Sequence, residues 1–376
     1  MSCDANFAAT RNGEEGKCGM RSAKRRGSDW RPVRATKAAF VALVLAAAHC
    51  GGAAAQAPDE FYSGRQIKFV VGSAGGGGYE FYSRLLGRYM SKYLPGNPLF
   101  VVQSMPGAAG MIAANYLYNI APRDGSEMGM VGRAVGIQPL IDPKDPGPRY
   151  VATKFNWIGT PQKEVGLVLV RASSPIRTLE DLTRHELVVS GTSAAAPPSY
   201  YPKLLNKLVG TKFKVVEGYK SSQTALLALE RGEVDGHTSG SSAAPIRERI
   251  RPWIQEGKIR VVAQIGLALD PEYPDAPLVM DLARQDIERQ ILAVILSQQF
   301  MAWPVVMPPD VPAARVAAMR AAFDAAMVDP NFIADAEKQK LMLNPASGRQ
   351  IHELLDRIYQ TPKEILDRLV SLSDRG

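Results

Sequence analysis

The sequence predicts an α/β protein of two domains, and three observations carry that reading. Short β-rich runs alternate with helical patterns along the chain, the order that lays helices against a sheet. Three of those units end a strand on Gly, Ser or Thr just before a helix. About 319 residues follow an N-terminal leader, more than one hydrophobic core usually serves.

The leader comes first. Lys24, Arg25, Arg26, Arg31, Arg34 and Lys37 form a basic stretch, Ala38–Ala48 an apolar run, and Ala55-Gln56-Ala57 an A-x-A cleavage pattern. That order marks residues 1–57 as a secretory signal, with cleavage expected after Ala57 and an exported product. The apolar run is shorter than the roughly 18–20 residues that span a bilayer. Met20 is an alternative start. Arg25-Arg26 continues poorly for twin-arginine export, and Ala48-His49 before Cys50 is a poor lipobox, so general export without a lipid anchor is expected. Of 45 Lys+Arg and 37 Asp+Glu, the leader holds 9 and 4, so the rest of the chain nets +3 rather than +8. That balance gives little support for a nucleic-acid partner. Cys3, Cys18 and Cys50 are the only cysteines, and all lie in the leader. The exported chain is therefore expected to lack disulfides, thiol nucleophiles and zinc–thiolate sites.

Ile67–Val71 reads as a strand, followed by Ser73-Ala74, the glycines Gly75–Gly78, and a helix over 79–93 with Leu85, Leu86, Tyr89 and Met90 on one face. A strand feeding a helix through bare backbone gathers unpaired N–H groups at the positive end of the helix dipole, a seat for an anion. Glycines let a ligand approach with no Cβ in the way, although a plain flexible turn fits them equally well. No Lys-Ser or Lys-Thr follows, and the third position of G-x-G-x-x-G is Glu80 or Phe81, so neither nucleotide motif is present. Phe100–Gln103 is a second strand, leading through Ser104–Gly110 to a helix. Met128–Val131 is a third, stopping at Gly132-Arg133. Val165–Val170, Glu186–Ser190, Phe213–Glu217 and Ile259–Gly266 follow as strands. The run 186–190 enters Gly191-Thr192-Ser193-Ala194, and 213–217 enters Gly218-Tyr219-Lys220 and a helix over 224–231. Phe300–Met307 is strand-like. Val316, Met319, Phe323 and Met327 form the core stripe of the next helix, and Ile365, Leu366, Leu369 and Val370 that of the last.

In motif order the chain resembles the periplasmic solute receptors of tripartite tricarboxylate transporters, the Bug or TctC-like family. The signposts are the 67–71 strand with Gly75–Gly78, Pro106-Gly107-Ala108-Ala109-Gly110, Ala121-Pro122-Arg123-Asp124-Gly125, Ser174-Pro175 through Leu182, Gly218-Tyr219-Lys220, Gly232-Glu233-Val234-Asp235 and Tyr273-Pro274-Asp275-Ala276-Pro277. The resemblance covers essentially all of residues 59–372. It implies a two-lobed, type II-like periplasmic-binding-protein (Venus flytrap) fold, each lobe a central sheet flanked by helices. Residues 58–170 with 296–376 would form lobe 1 and 171–295 lobe 2, to within about ten residues. It implies binding without catalysis: a monomer with no cofactor or metal that captures a small organic carboxylate and delivers it to permease subunits of a tripartite tricarboxylate-type transporter. Carried onto this chain, Ser73, Ala74, Gly75, Gly76, Gly77, Gly78, Tyr79 and Glu80 form the first-lobe loop. Gly191, Thr192, Ser193 and Ala194 begin the second-lobe loop, and Arg133, Tyr219, Asp235 and His237 flank the cleft. Three departures stand out: Glu80 where Asp is common, Ala194-Ala195-Ala196-Pro197-Pro198 where Gly and Ser are common, and Arg133 where relatives carry a small polar residue.

The physics of such a site sets requirements. Burying a bare carboxylate has an idealised cost on the order of 20 kcal/mol, and a helix dipole returns only about 0.3–2 kcal/mol. Converging N–H groups and the hydroxyls of Ser73, Thr192 and Ser193 are expected to supply the rest. Arg133 is either a bidentate partner of the ligand or a structural arginine. His237 is either a sensor of charge or pH or, more commonly for such a residue, a structural histidine. Tyr79, Tyr82 and Tyr219 either wall the site or simply pack. Glu80 is expected to fix its loop. Two other classes compete. An exported hydrolase would need G-x-S-x-G, which Gly191-Thr192-Ser193-Ala194-Ala195 breaks, and His185, His237 and His352 lack a triad context. An exported sensor would serve a membrane kinase instead of a permease. Tricarboxylates, C4 dicarboxylates, aromatic carboxylates and acidic amino acids all remain candidate ligands.

Overall fold

The computed structural model of the chain describes residues 58–74, 77–192, 196–240 and 244–373. The expected signal segment lies outside the described residues, as do Gly75, Gly76, Ser193 and Ala194. In chain order the strands are β1 (Gln66–Val71), β2 (Leu99–Ser104), β3 (Glu127–Met130), β4 (Asn156–Thr160), β5 (Gly166–Arg171), β6 (Leu187–Ser190), β7 (Phe213–Val216), β8 (Gly236–Gly240), β9 (Ile259–Ile265), β10 (Val305–Met307) and β11 (Ala346–Ser347). The helices that position the site are α1 (Gly78–Lys92), α2 (Met111–Asn119), α3 (Pro197–Val209), α4 (Ser222–Arg231), α5 (Ala244–Gln255), α6 (Asp286–Phe300), α7 (Ala313–Met327), α8 (Gly348–Tyr359) and α9 (Lys363–Ser373).

The strands form two sheets, ordered β11-β4-β10-β3-β1-β2 and β7-β6-β8-β5-β9. Each is the centre of a lobe. In the first sheet β1 runs parallel to β2 and β3, and β10 returns antiparallel between β3 and β4. Side chains alternate across it as strand geometry requires. Ile67, Phe69, Met128, Met130 and Ile158 face α1 and α7, whereas Val70, Val131, Trp157 and Val306 face the side of α2 and α8. In the second sheet, Leu167 and Leu169 face α4 and α5, while Val168, Val170, Val189 and Ile265 face α3 and α6. Strands buried on both faces in this way read as continuous apolar runs, which is why β1, β5 and β9 are visible in the sequence.

The chain crosses between the sheets twice, at 161–165 and again after α6. The Glu164 N–H donates to the Gln299 carbonyl at 2.8 Å, tying the two crossings together. Strand 166–171 belongs to the second sheet, so a division by sheet falls ahead of Gly166, a few residues before the expected 170/171 boundary. One apolar cluster continues from Leu117 and Val131 through Ile291, Leu355 and Leu369 to Val189 and Leu204. The last helix, α9, packs on α3, on α6 and on the short turn of helix at Gln138–Ile141, so it touches both lobes.

Some elements differ from expectation. Phe300 ends α6 instead of opening a strand. The run Ile291–Leu296 is apolar enough for either state, and its length with the flanking 286–290 settles it as helix. Strand β8 reads Gly-His-Thr-Ser-Gly, with no run of branched or aromatic residues, and is held by pairing to β5 on one side and β6 on the other.

The tips of the first sheet are packed backbone against backbone. A Cβ on Gly132 would lie 1.8 Å from the Ala109 carbonyl oxygen, and one on Gly72 would lie 2.9 Å from the Gly110 Cα. The intervening turn holds Gly107, Ala108, Ala109 and Gly110 at φ of 132, 44, 52 and 90°, a left-handed path that costs an alanine about 1–2 kcal/mol. Gly132→Ala is therefore expected to lower stability by about 3 kcal/mol. Urea unfolding measures it, and an unchanged midpoint would contradict this close crossing.

Candidate functional site

The parallel strands β1 and β3 point their C-terminal ends at the crossings, where α/β sheets place ligands. Arg133 follows β3 directly after Gly132, whose contact with Ala109 sets the direction of the chain there. Its guanidinium is ion-paired with Glu164 on the first crossing; the two side chains are 29 and 11% exposed. Tyr79, in the first turn of α1, hydrogen-bonds Arg133 and also donates from its hydroxyl to the Ala302 carbonyl at 3.3 Å. From the second lobe, Tyr201 on α3 donates to Gln299 at 3.0 Å, and the Gln299 amide donates to the Ile265 carbonyl at 2.6 Å; this amide orientation is assigned from the hydrogen-bond network. Thr238 on β8 donates to the Pro198 carbonyl at 2.9 Å.

Arg133, Glu164, Pro197, Tyr201, Thr238 and Gln299 surround a cavity of about 10 Å³, room for roughly one water. The first lobe thus supplies a cation, the crossings supply Glu164 and Gln299, and the second lobe supplies hydroxyls. Burial opposes the charge on Arg133, but Glu164 and then the Tyr79 and Tyr201 hydroxyls outweigh it, and its pKa is raised. Burial also raises the pKa of Tyr201 and of Tyr79, so both phenols stay neutral hydrogen-bonding groups.

Of the expected site residues, the structure brings Tyr79 and Arg133 together. The adjacent loop has a different logic from bare backbone. A Cβ on Gly78 would meet the Trp303 ring at 2.7 Å, so this glycine makes room for an indole. Trp303 in turn stacks against Tyr79 and Tyr82, with ring centroids 4.6 and 4.9 Å away. Tyr82 is buried, its hydroxyl 2.6 Å from both the Gln162 side chain and the Met342 carbonyl, so it is packing rather than wall. Gly77 caps α1 in extended conformation with open space around it. Ser73 donates to the Ala74 carbonyl at 3.3 Å, and Ala74 is exposed. Glu80 pairs with Arg84 one turn along α1 at 2.6 Å, which fixes the helix start. In the second lobe, Gly191 bonds through its N–H to the Val216 carbonyl, and its own carbonyl accepts from the Tyr219 N–H. Thr192 accepts from the Gly218 N–H at 3.2 Å.

Three expected site residues are placed away from Arg133, and for His237 the reason is that alternate strand residues face opposite sides. Thr238 faces α3, so His237 faces α4, where its Nδ1 lies 2.8 Å from the Ser190 Oγ that also donates to the Ala225 carbonyl. Tyr219 packs on the α4–α5 cluster and hydrogen-bonds Glu233. Asp235 is exposed, its carbonyl accepting from the N–H of Arg171 at the far end of β5, about 17 Å of strand from Gly166. Conversely, Glu164, Tyr201, Gln299 and Trp303 were not legible as site residues. The one available signal was the polar run Gln162-Lys163-Glu164 between two apolar strands.

Two lobes built on separate sheets, joined by two crossings with a polar cluster between them, define a solute-binding fold of the periplasmic-binding-protein type. The chain belongs to the family described as tripartite tricarboxylate transporter family receptor, whose pattern matches residues 83–369; it is a solute-binding receptor and not an enzyme. A UPF0065 protein of Cupriavidus necator (gbd 5'region) is 23% identical over 347 residues, 88% of this chain and 95% of its own. A TctC solute-binding protein from Polaromonas, solved without ligand, has a TM-score of 0.64 at 16% identity, over 83% of this chain and 99% of its own. The periplasmic binding protein BugD gives 0.51 at 18% identity, over 83 and 99%. An R. palustris protein solved with adipate gives 0.51 at 17% identity, over 82 and 98%.

His237 carries a pH prediction. It is fully buried, and burial lowers its pKa from 6.5 to about 4, so it stays neutral between pH 5 and 8 and does not sense pH there. The folded value lies below the unfolded one. The stability it contributes is therefore complete above about pH 6.5 and lost as pH falls toward 4, by about 3 kcal/mol in all. His237→Gln is expected to flatten that acid loss, as read from urea midpoints at pH 7, 5.5 and 4. An identical slope in the variant would show that other groups cause it.

Proposed function

We propose that the protein captures a small organic carboxylate between its lobes in the periplasm and delivers it to the membrane permease subunits of a tripartite tricarboxylate-type transporter. The observation that carries this reading is Arg133, a cation held at the lobe junction by the Glu164 carboxylate with the Tyr79 and Tyr201 hydroxyls beside it. A guanidinium in such surroundings is suited to a carboxylate, through short charge-assisted hydrogen bonds. Family membership supports the transport role, and the adipate held by the R. palustris neighbour supports the ligand class. On this reading the lobes meet at 161–165 and 300–304. Ser73, Ala74 and Gly77–Tyr79 on one side and Gly191–Thr192 on the other form the rims, and Arg133 lies at the inner end. A 10 Å³ cavity admits no organic acid, so the lobes part at the crossings to load it, a hinge motion of the usual kind.

The test is a thermal-unfolding screen of the purified protein with succinate, adipate, citrate, aspartate and benzoate. A micromolar ligand at millimolar concentration adds about 4 kcal/mol, and a clear rise in melting temperature is expected for at least one acid. No rise with any of them would overturn the carboxylate assignment. Arg133→Gln is expected to weaken the best ligand about 10–100-fold by calorimetry, the worth of a charge-assisted hydrogen bond; an unchanged affinity would place the carboxylate elsewhere.

A further inference from the structure

We infer that Glu164 is the receptor's own competitor for its ligand: its carboxylate occupies the arginine that the incoming carboxylate must take, and the exchange decides which acids bind. This rests on the carboxylate reading above. The partner of Arg133 is already a carboxylate, the same group that the ligand would offer. The cavity that both residues line has room for about one water, so Arg133 holds either Glu164 or a ligand there, not both. A partly buried cation stripped of its partner is destabilising, and two other neighbours of Arg133, the Tyr79 and Tyr201 hydroxyls, are neutral. An empty receptor therefore needs Glu164 where it is.

The pair also spans the joint that loading must bend. Arg133 moves with the first sheet, because Gly132 is wedged against Ala109. Glu164 moves with the crossings, because its N–H is bonded to the Gln299 carbonyl. Opening separates the two and presents Arg133 to solvent. A monocarboxylate then gains only what it displaces, one carboxylate for another. A di- or tricarboxylate adds a second set of hydrogen bonds to the loop N–H groups and wins the exchange. Glu164 thus excludes simple monocarboxylates.

Glu164→Gln tests this. In chloride buffer the variant is expected to melt below the wild type, and acetate is expected to restore it in a dose-dependent way while leaving the wild type unmoved. Sulfate at equal ionic strength is the control. Adipate is expected to bind the variant about tenfold more tightly by calorimetry, since a competitor present roughly nine-tenths of the time costs a ligand that factor. The double variant Arg133→Gln/Glu164→Gln is expected to lose the acetate response. A lower melting temperature with no acetate rescue would mean that Glu164 is only structural, and equal or weaker adipate binding would overturn its role as competitor. Should the Gln variant fail to fold, Glu164→Asp, one methylene shorter, is expected to gain an acetate response, and its absence counts against the inference. If the wild type responds to a dicarboxylate but the variants show none of these gains, this inference alone falls. If no protein responds to any carboxylate, the ligand class falls with it.

Discussion

Arg133 carries its charge in the seam between two lobes, and its surroundings are arranged to make that charge tolerable. Removing a guanidinium from water is costly unless opposite charge and hydrogen-bonding groups replace the solvent. Here Glu164 supplies the charge, Tyr79 the nearest hydroxyl, and Tyr201 a second polar neighbour. These groups come from β3, the first crossing, α1 and α3. A single electrostatic requirement therefore draws together both lobes and the joint between them. The pair contributes little to net stability compared with an apolar substitute, but it defines one arrangement of the seam.

The arginine is placed by backbone crowding rather than by side-chain packing. Gly72, Gly110 and Gly132 bring the ends of β1 and β3 and the turn after β2 into direct contact. That contact forces Ala108 and Ala109 into left-handed conformations, strain that the surrounding sheet must sustain. On the other side, the Trp303 ring fills the space beside Gly78 and packs at a tilt against Tyr79. The residues next to Arg133 and Tyr79 are thus small because the chain itself is crowded there.

The lobes are not independent. One apolar cluster runs through both, and α9 packs on each. Any opening motion must bend the crossings while sliding or sparing that shared core, which favours a small rotation about residues 161–165 over wide separation. A seam with little room for water strengthens the interactions made in it, so a modest set of donors can suffice for a carboxylate.

The sequence by itself determined the local grammar of this protein. Strands buried on both faces must be continuous apolar runs, and helices must show a stripe, so β1, β3, β5, β6 and β9 and helices α1 and α7 were legible in order. The small-residue turns after the strands were legible for the same reason, and with them the family. Elements with no such pattern were not: β8 is a strand because of its neighbours, and α6 is apolar enough to read either way. Only the tertiary structure decided which residues share a site. Strand alternation turned His237 away from Thr238, and the antiparallel pairing of β5 with β8 put Asp235 at the end of β5 that Arg171 occupies. Glu164 and Arg133, 31 residues apart, and Tyr201 and Gln299, farther still, meet only because two sheets are joined through two crossings. Local propensity acts over a few residues, whereas a charge buried between lobes is satisfied by whatever the whole chain brings within hydrogen-bond reach.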